Sequence, residues 1–121
     1  MSYGKHICLD IEFYEPQKWE GVTAYQFLIE LVESIEMNPI GLPHVDMYSG
    51  DKDWTGPSAT IHIQTSHCTL HYFDKGYMFM DVFSCKGFDD DKIIQLLKNY
   101  LGDNIKSIER HEVRRGKHFP W

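Results

Sequence analysis

Residues 58–85 read SATIHIQTSHCTLHYFDKGYMFMDVFSC, and their alternation decides the fold. Ala59, Ile61 and Ile63 alternate with Thr60, His62 and Gln64, the period of a strand buried on one face. Cys68, Leu70 and Tyr72 alternate in the same way with His67, Thr69 and His71. Tyr77 to Cys85 is apolar on both faces, as expected of a strand in the middle of a sheet. Asp74-Lys75-Gly76 supplies a hairpin turn before it. Three successive strands with no helix between them predict antiparallel pairing.

Upstream, Lys5 to Phe13 is rich in Ile, Leu and Phe and reads as a strand closed by Glu15-Pro16-Gln17. Thr23 and Gln26 have the spacing of a capping box. Behind them Ala24, Phe27, Leu28, Leu31, Val32 and Ile35 recur at helical spacing until Asn38-Pro39. Residues 39–57, with three prolines and three glycines, predict a short strand at His44–Tyr48 and then a mobile loop. Downstream, Asp89, Asp90 and Asp91 open a second helix, where carboxylates suit the dipole. Ile93, Ile94, Leu96, Leu97, Tyr100 and Leu101 form its apolar stripe, and Gly102 ends it. A last strand is predicted at about Lys106 to Arg114. The order β-α-β-β-β-β-α-β predicts an α+β, two-layer sandwich: a mostly antiparallel sheet with two helices packed on one face, in a single domain over 1–121.

Composition bounds the partners. The chain has 121 residues, 42% hydrophobic and 25% charged, an ordinary globular balance. Eighteen acidic against twelve basic residues give a formal charge of −6, which opposes nucleic-acid binding and favours a small cationic ligand. The basic run Arg110 to Lys117 is interrupted by Glu112 and reads as a solvated strand. No apolar run nears the roughly 20 residues of a membrane span, and none has the form of a signal peptide, so a cytoplasmic location is expected. Cys8, Cys68 and Cys85 form no CxxC pair, which argues against structural zinc and a disulfide framework.

Ser58, Ser66, His67, His71 and Cys85 crowd strand ends within 28 residues. Taken singly, each has an ordinary structural explanation. Taken together, they leave open a Cys–His nucleophile pair or a His/Cys metal site, which needs three converging ligands.

The run Gly56 to His71, with Gly76-Tyr77 and Asp81-Val82-Phe83-Ser84-Cys85, resembles the small prokaryotic S-adenosylmethionine decarboxylases. That family shows a Ser-His pair, a His five residues after the serine, a Gly-Tyr turn and an Asp-Val-Phe-x-Cys strand. Gly4-Lys5-His6-Ile7-Cys8-Leu9-Asp10 is similar to its first strand, and Arg114-Arg115-Gly116 to its closing Arg-Gly. The resemblance implies self-cleavage between Thr65 and Ser66, giving chains 1–65 and 66–121, with Ser66 becoming a pyruvoyl cofactor and no metal. It implies that Ser58 steadies the oxyanion of processing, that His71 takes the proton and that Cys85 returns one to the product. The pyruvoyl ketone would take the amine of S-adenosylmethionine as a Schiff base, making the aminopropyl donor for spermidine. Trp54, His67 and Asp74 are the implied substrate contacts, and a homodimer is implied. Thr65 stands where the family has Glu, and Tyr72-Phe73-Asp74-Lys75 replaces its Thr-Trp-Pro-Glu. These departures keep open ornithine or arginine as substrate, or a non-processing relative that binds a nucleoside or a partner.

Overall fold

Alternation along the first strand sets the layering. In the computed structural model, which describes residues 3–120, β1 (Gly4–Phe13) turns Ile7, Leu9, Ile11 and Phe13 inward and leaves His6, Cys8, Asp10 and Glu12 half-buried on the other side. There follow α1 (Gly21–Ser34), β2 (Pro39–Tyr48), β3 (Gly56–Ile63), β4 (Ser66–Phe73), β5 (Tyr77–Ser84), α2 (Asp90–Leu101), a single 3-10 turn (Gly102–Asn104) and β6 (Ile105–Arg115). The six strands form one sheet in the order β2-β3-β4-β5-β1-β6, and every neighbouring pair is antiparallel. The expected α+β sandwich is therefore present, with a fully antiparallel sheet.

Inward residues of four strands meet the helices in one core. Ile7, Leu9, Ile61, Leu70, Met78, Met80 and Val82 pack with Phe27, Leu28, Leu31, Ile93 and Leu97, all at 2% exposure or less. Each such side chain contributes on the order of 1.5–3 kcal/mol of transfer free energy. Among the described residues, the other sheet face carries no helix. It presents Ser58, His67, His71, Phe79, Asp81 and Phe83 together with the polar residues of β1. Among the described residues, no helix is long and apolar enough to cross a membrane.

Four expectations change. Helix α1 starts at Gly21, not at a Thr23–Gln26 box: Glu20 is the N-cap, with no side-chain cap, and Thr23 lies inside the first turn. Tertiary packing sets this start, because buried Trp19 stacks on Tyr72 at 4.4 Å and delivers the chain to the helix. The helix ends at Ser34 rather than at Asn38-Pro39. There the Met37 N–H donates to Val32 and the Glu36 N–H to Glu33, a Schellman closure with Glu36 at φ 58 where glycine is usual. Strand β2 runs ten residues from Pro39, bulging between Ile40 and His44, because β3 offers it a full edge to pair with. Gly56 opens β3 at φ 148, and an added Cβ would lie 2.0 Å from the Tyr72 carbonyl oxygen, so only glycine fits.

Candidate active site

The β3–β4 hairpin turns through Gln64 and Thr65, and Ser66 begins β4 opposite both Ile63 and Ser84. The Ser66 hydroxyl donates to the Thr65 carbonyl, across the bond expected to break. Its Oγ lies 3.9 Å from Cys85 Sγ, which follows directly after β5. Thr65 is itself held, its hydroxyl 2.8 Å from Ser84 Oγ. Ser84 is fully buried and also accepts from the Lys86 amide at 2.9 Å. Thr65, Ser66 and Cys85 thus form one group at one end of the sheet.

His67 and Phe83 flank that group on the open face, their ring centroids 6.0 Å apart. Burial, and then His6, lower the His67 pKa, so its neutral form is favoured. The Arg115 guanidinium reaches across Gly4 to lie 4.5 Å from the Phe83 ring centroid. A side chain at Gly4 would meet that ring at 2.8 Å.

A second group lies farther along the same face. Ser58 and His71 face each other in the β3–β4 register, with Ser58 Oγ 3.0 Å from His71 Nδ1. Next to His71 opens a cleft of about 310 Å³ lined by Asp53, Trp54, Phe73, Lys75, Tyr77 and Phe79. Trp54 stands edge-on to Phe73 at 5.5 Å, and Lys75 pairs with Asp53 at 2.9 Å. The volume is at the lower end of small-molecule sites, and the lining is aromatic with one carboxylate.

The two groups do not touch within one chain. His71 lies five residues beyond Ser66 on the same strand, about 17 Å at roughly 3.3 Å per residue. Asp74 points away from both: its Oδ1 accepts from the Trp19 amide at 3.4 Å, toward the helical layer, and burial raises its pKa. The carboxylate at the cleft is Asp53, which lies in a loop with no periodic signal to mark it. Ser84 was also missed. Its signal was a serine at a core-facing position of an apolar strand. The three thiols differ: Cys85 is exposed, Cys8 is half-buried and Cys68 is buried, which pushes its pKa up to about 12.

Residues 5–116 match the sequence model of the S-adenosylmethionine decarboxylase family. Among curated proteins none matches. The fold is similar to the crystal structure of the adenosylmethionine decarboxylase from Aquifex aeolicus VF5, with a TM-score of 0.71 and 20% identity over 94% of this chain and 91% of that one.

Proposed function

The chain belongs to the S-adenosylmethionine decarboxylase family, and we propose that it removes CO2 from S-adenosylmethionine with a pyruvoyl group made from its own Ser66. The product would be the aminopropyl donor for spermidine synthesis. The observation that carries this reading is the placement of Ser66 directly after the Thr65 carbonyl, with its Oγ 3.9 Å from the Cys85 thiol.

Processing under this reading runs through an ester. Ser66 Oγ adds to the Thr65 carbonyl carbon and the amide nitrogen leaves it, so an ester replaces the peptide bond. Removal of the Ser66 α-proton expels the Thr65 carboxylate and ends one fragment at residue 65. The dehydroalanine left at 66 takes up water and releases ammonia, and fragment 66–121 then begins with the pyruvoyl group. Once formed, that group supplies an electrophilic ketone that accepts the substrate amine and the electrons left by CO2.

The other residues take roles by position. Cys85 is the proton donor to the product carbon, being the thiol beside residue 66. Ser58 and His71 stabilise the oxyanion and take the α-proton. Within one chain they stand about 17 Å from Ser66 by strand rise, so we assign them to the Ser66 of a second copy. A homodimer related by a two-fold axis then holds two sites, each built from both chains. The cleft of Trp54, Phe73, Tyr77 and Phe79 receives the purine and sulfonium end, for which aromatic faces are suited.

Intact mass after prolonged incubation, together with CO2 release from S-adenosylmethionine, ornithine and arginine side by side, tests this. Fragments 1–65 and pyruvoyl-capped 66–121 are expected, with turnover of S-adenosylmethionine alone. An intact chain lacking activity would overturn the reading, and turnover of ornithine or arginine would overturn the substrate.

A further inference from the structure

His6, Cys8 and Asp81 converge on the open face where two central strands pair. Cys8 and Asp81 are register partners across β1 and β5, and His6 lies two residues before Cys8 on the same face. His6 Nε2 is 3.2 Å from Asp81 Oδ1, and Cys8 Sγ is 3.6 Å from His6 Nε2. One donor atom from each of the three lies within 4.8 Å of the others.

Those separations have a chemical meaning. A tetrahedral zinc ion with Zn–S of about 2.3 Å and Zn–N and Zn–O of about 2.05 Å needs an S···N edge of about 3.6 Å and an N···O edge of about 3.3 Å. The His6–Cys8 and His6–Asp81 edges fall within about 0.15 Å of these, and the Cys8 and Asp81 donors lie within 4.8 Å of each other. A thiol and an imidazole select a borderline-to-soft transition metal over calcium or magnesium. Both strands are paired on either side, so the donors stand on a rigid base. The neighbouring Asp10, Glu109 and His111 also converge, but two of the three are exposed and none is a soft donor.

We propose that His6, Cys8 and Asp81 form a binding site for one zinc-class divalent transition-metal ion per chain, its fourth corner left to water. On binding, the Cys8 thiol releases its proton to solvent and the thiolate, imidazole and carboxylate supply the coordinating electron pairs. The donors all come from one chain and include neither Ser66 nor Cys85, so the inference stands whether or not the chain processes itself.

The test uses the whole protein freed of metal by a chelator and titrated with cobalt(II), then with zinc(II) in competition. A sulfur-to-cobalt charge-transfer band in the near ultraviolet is expected, saturating at one equivalent per chain and removed by zinc. Cys8→Ser should abolish the band and His6→Asn should weaken binding by about 100-fold or more. Cys85→Ser should leave both unchanged, and a far-ultraviolet dichroism spectrum checks that each variant is folded. Absence of the band, or its persistence in Cys8→Ser with loss in Cys85→Ser, would show that the three side chains are only a hydrogen-bonded group.

Discussion

Ser84 Oγ meets three neighbours: the Thr65 hydroxyl, the Lys86 amide and, at 3.7 Å, Met37 Sδ. Its job under the proposed reaction is to hold Thr65 while Ser66 attacks. Ser84→Ala should slow the appearance of fragments on a denaturing gel by about fivefold, since one lost hydrogen bond is worth roughly 1 kcal/mol. CO2 release per pyruvoyl-bearing chain should not change. An unaltered cleavage rate would assign Ser84 to packing alone. Spacing and resemblance made Ser58, Ser66, His71 and Cys85 legible in the sequence. Ser84 was not, because a strand apolar on both faces gives no sign of which face is the core. The gap between Ser66 and His71 is written in the sequence as five strand residues, about 17 Å at roughly 3.3 Å each. The resemblance implies Asp74 as a substrate contact, and nothing local reveals that its carboxylate accepts from the Trp19 amide.

Among the elements, strands β3 and β4 were legible because one buried face imposes strict alternation, and β5 because an apolar run follows the Asp74-Lys75-Gly76 turn. Helix α2 was legible as well, with Asp89 accepting from the Asp91 amide at 3.0 Å and Gly102 closing it at φ 59. The ends of α1 and the length of β2 were not, since Trp19 packing and the β3 edge determine them. Helix α2 is tied to the sheet through Lys5, whose ammonium donates to Asp90 at 2.8 Å and to the Phe88 carbonyl at 2.9 Å. Burial alone would raise the Asp90 pKa, but Lys5 and Arg110 outweigh it and hold it below its ordinary 3.8. A carboxyl depressed in the folded state stabilises it above the ordinary value, and that contribution is lost as pH falls through the folded value. Lys5→Met should therefore cost about 1 kcal/mol at pH 7. Most of that difference should disappear as pH falls below 3.8 and through the lower folded value, as followed by urea unfolding across pH. A gap that stays constant into acid would mean that Lys5 acts through its stem and the Phe88 carbonyl.

At the scale of the whole molecule, the distance between Ser66 and His71 makes a prediction that no single site does. Ser66→Ala and His71→Ala should each be inactive alone. Co-expressed in equal amounts, about half the dimers are mixed, and in each one site pairs an intact Ser66 with an intact His71. Roughly a quarter of the wild-type number of sites should then carry pyruvoyl, counted by intact mass. No complementation would place the whole reaction within one chain.

The sheet order has one more consequence. A cut after Thr65 leaves β1, β2 and β3 on one piece and β4, β5 and β6 on the other, yet β1 sits between β5 and β6. The severed ends belong to a hairpin whose ladder survives, so the two polypeptides are dovetailed along three seams and neither slides free. Maturation would then be invisible to size-exclusion chromatography and plain only in denaturant. Once unravelled, the halves would have to find each other by diffusion, so activation would run in one direction: the molecule can be opened where it was made, but not easily rebuilt from its parts.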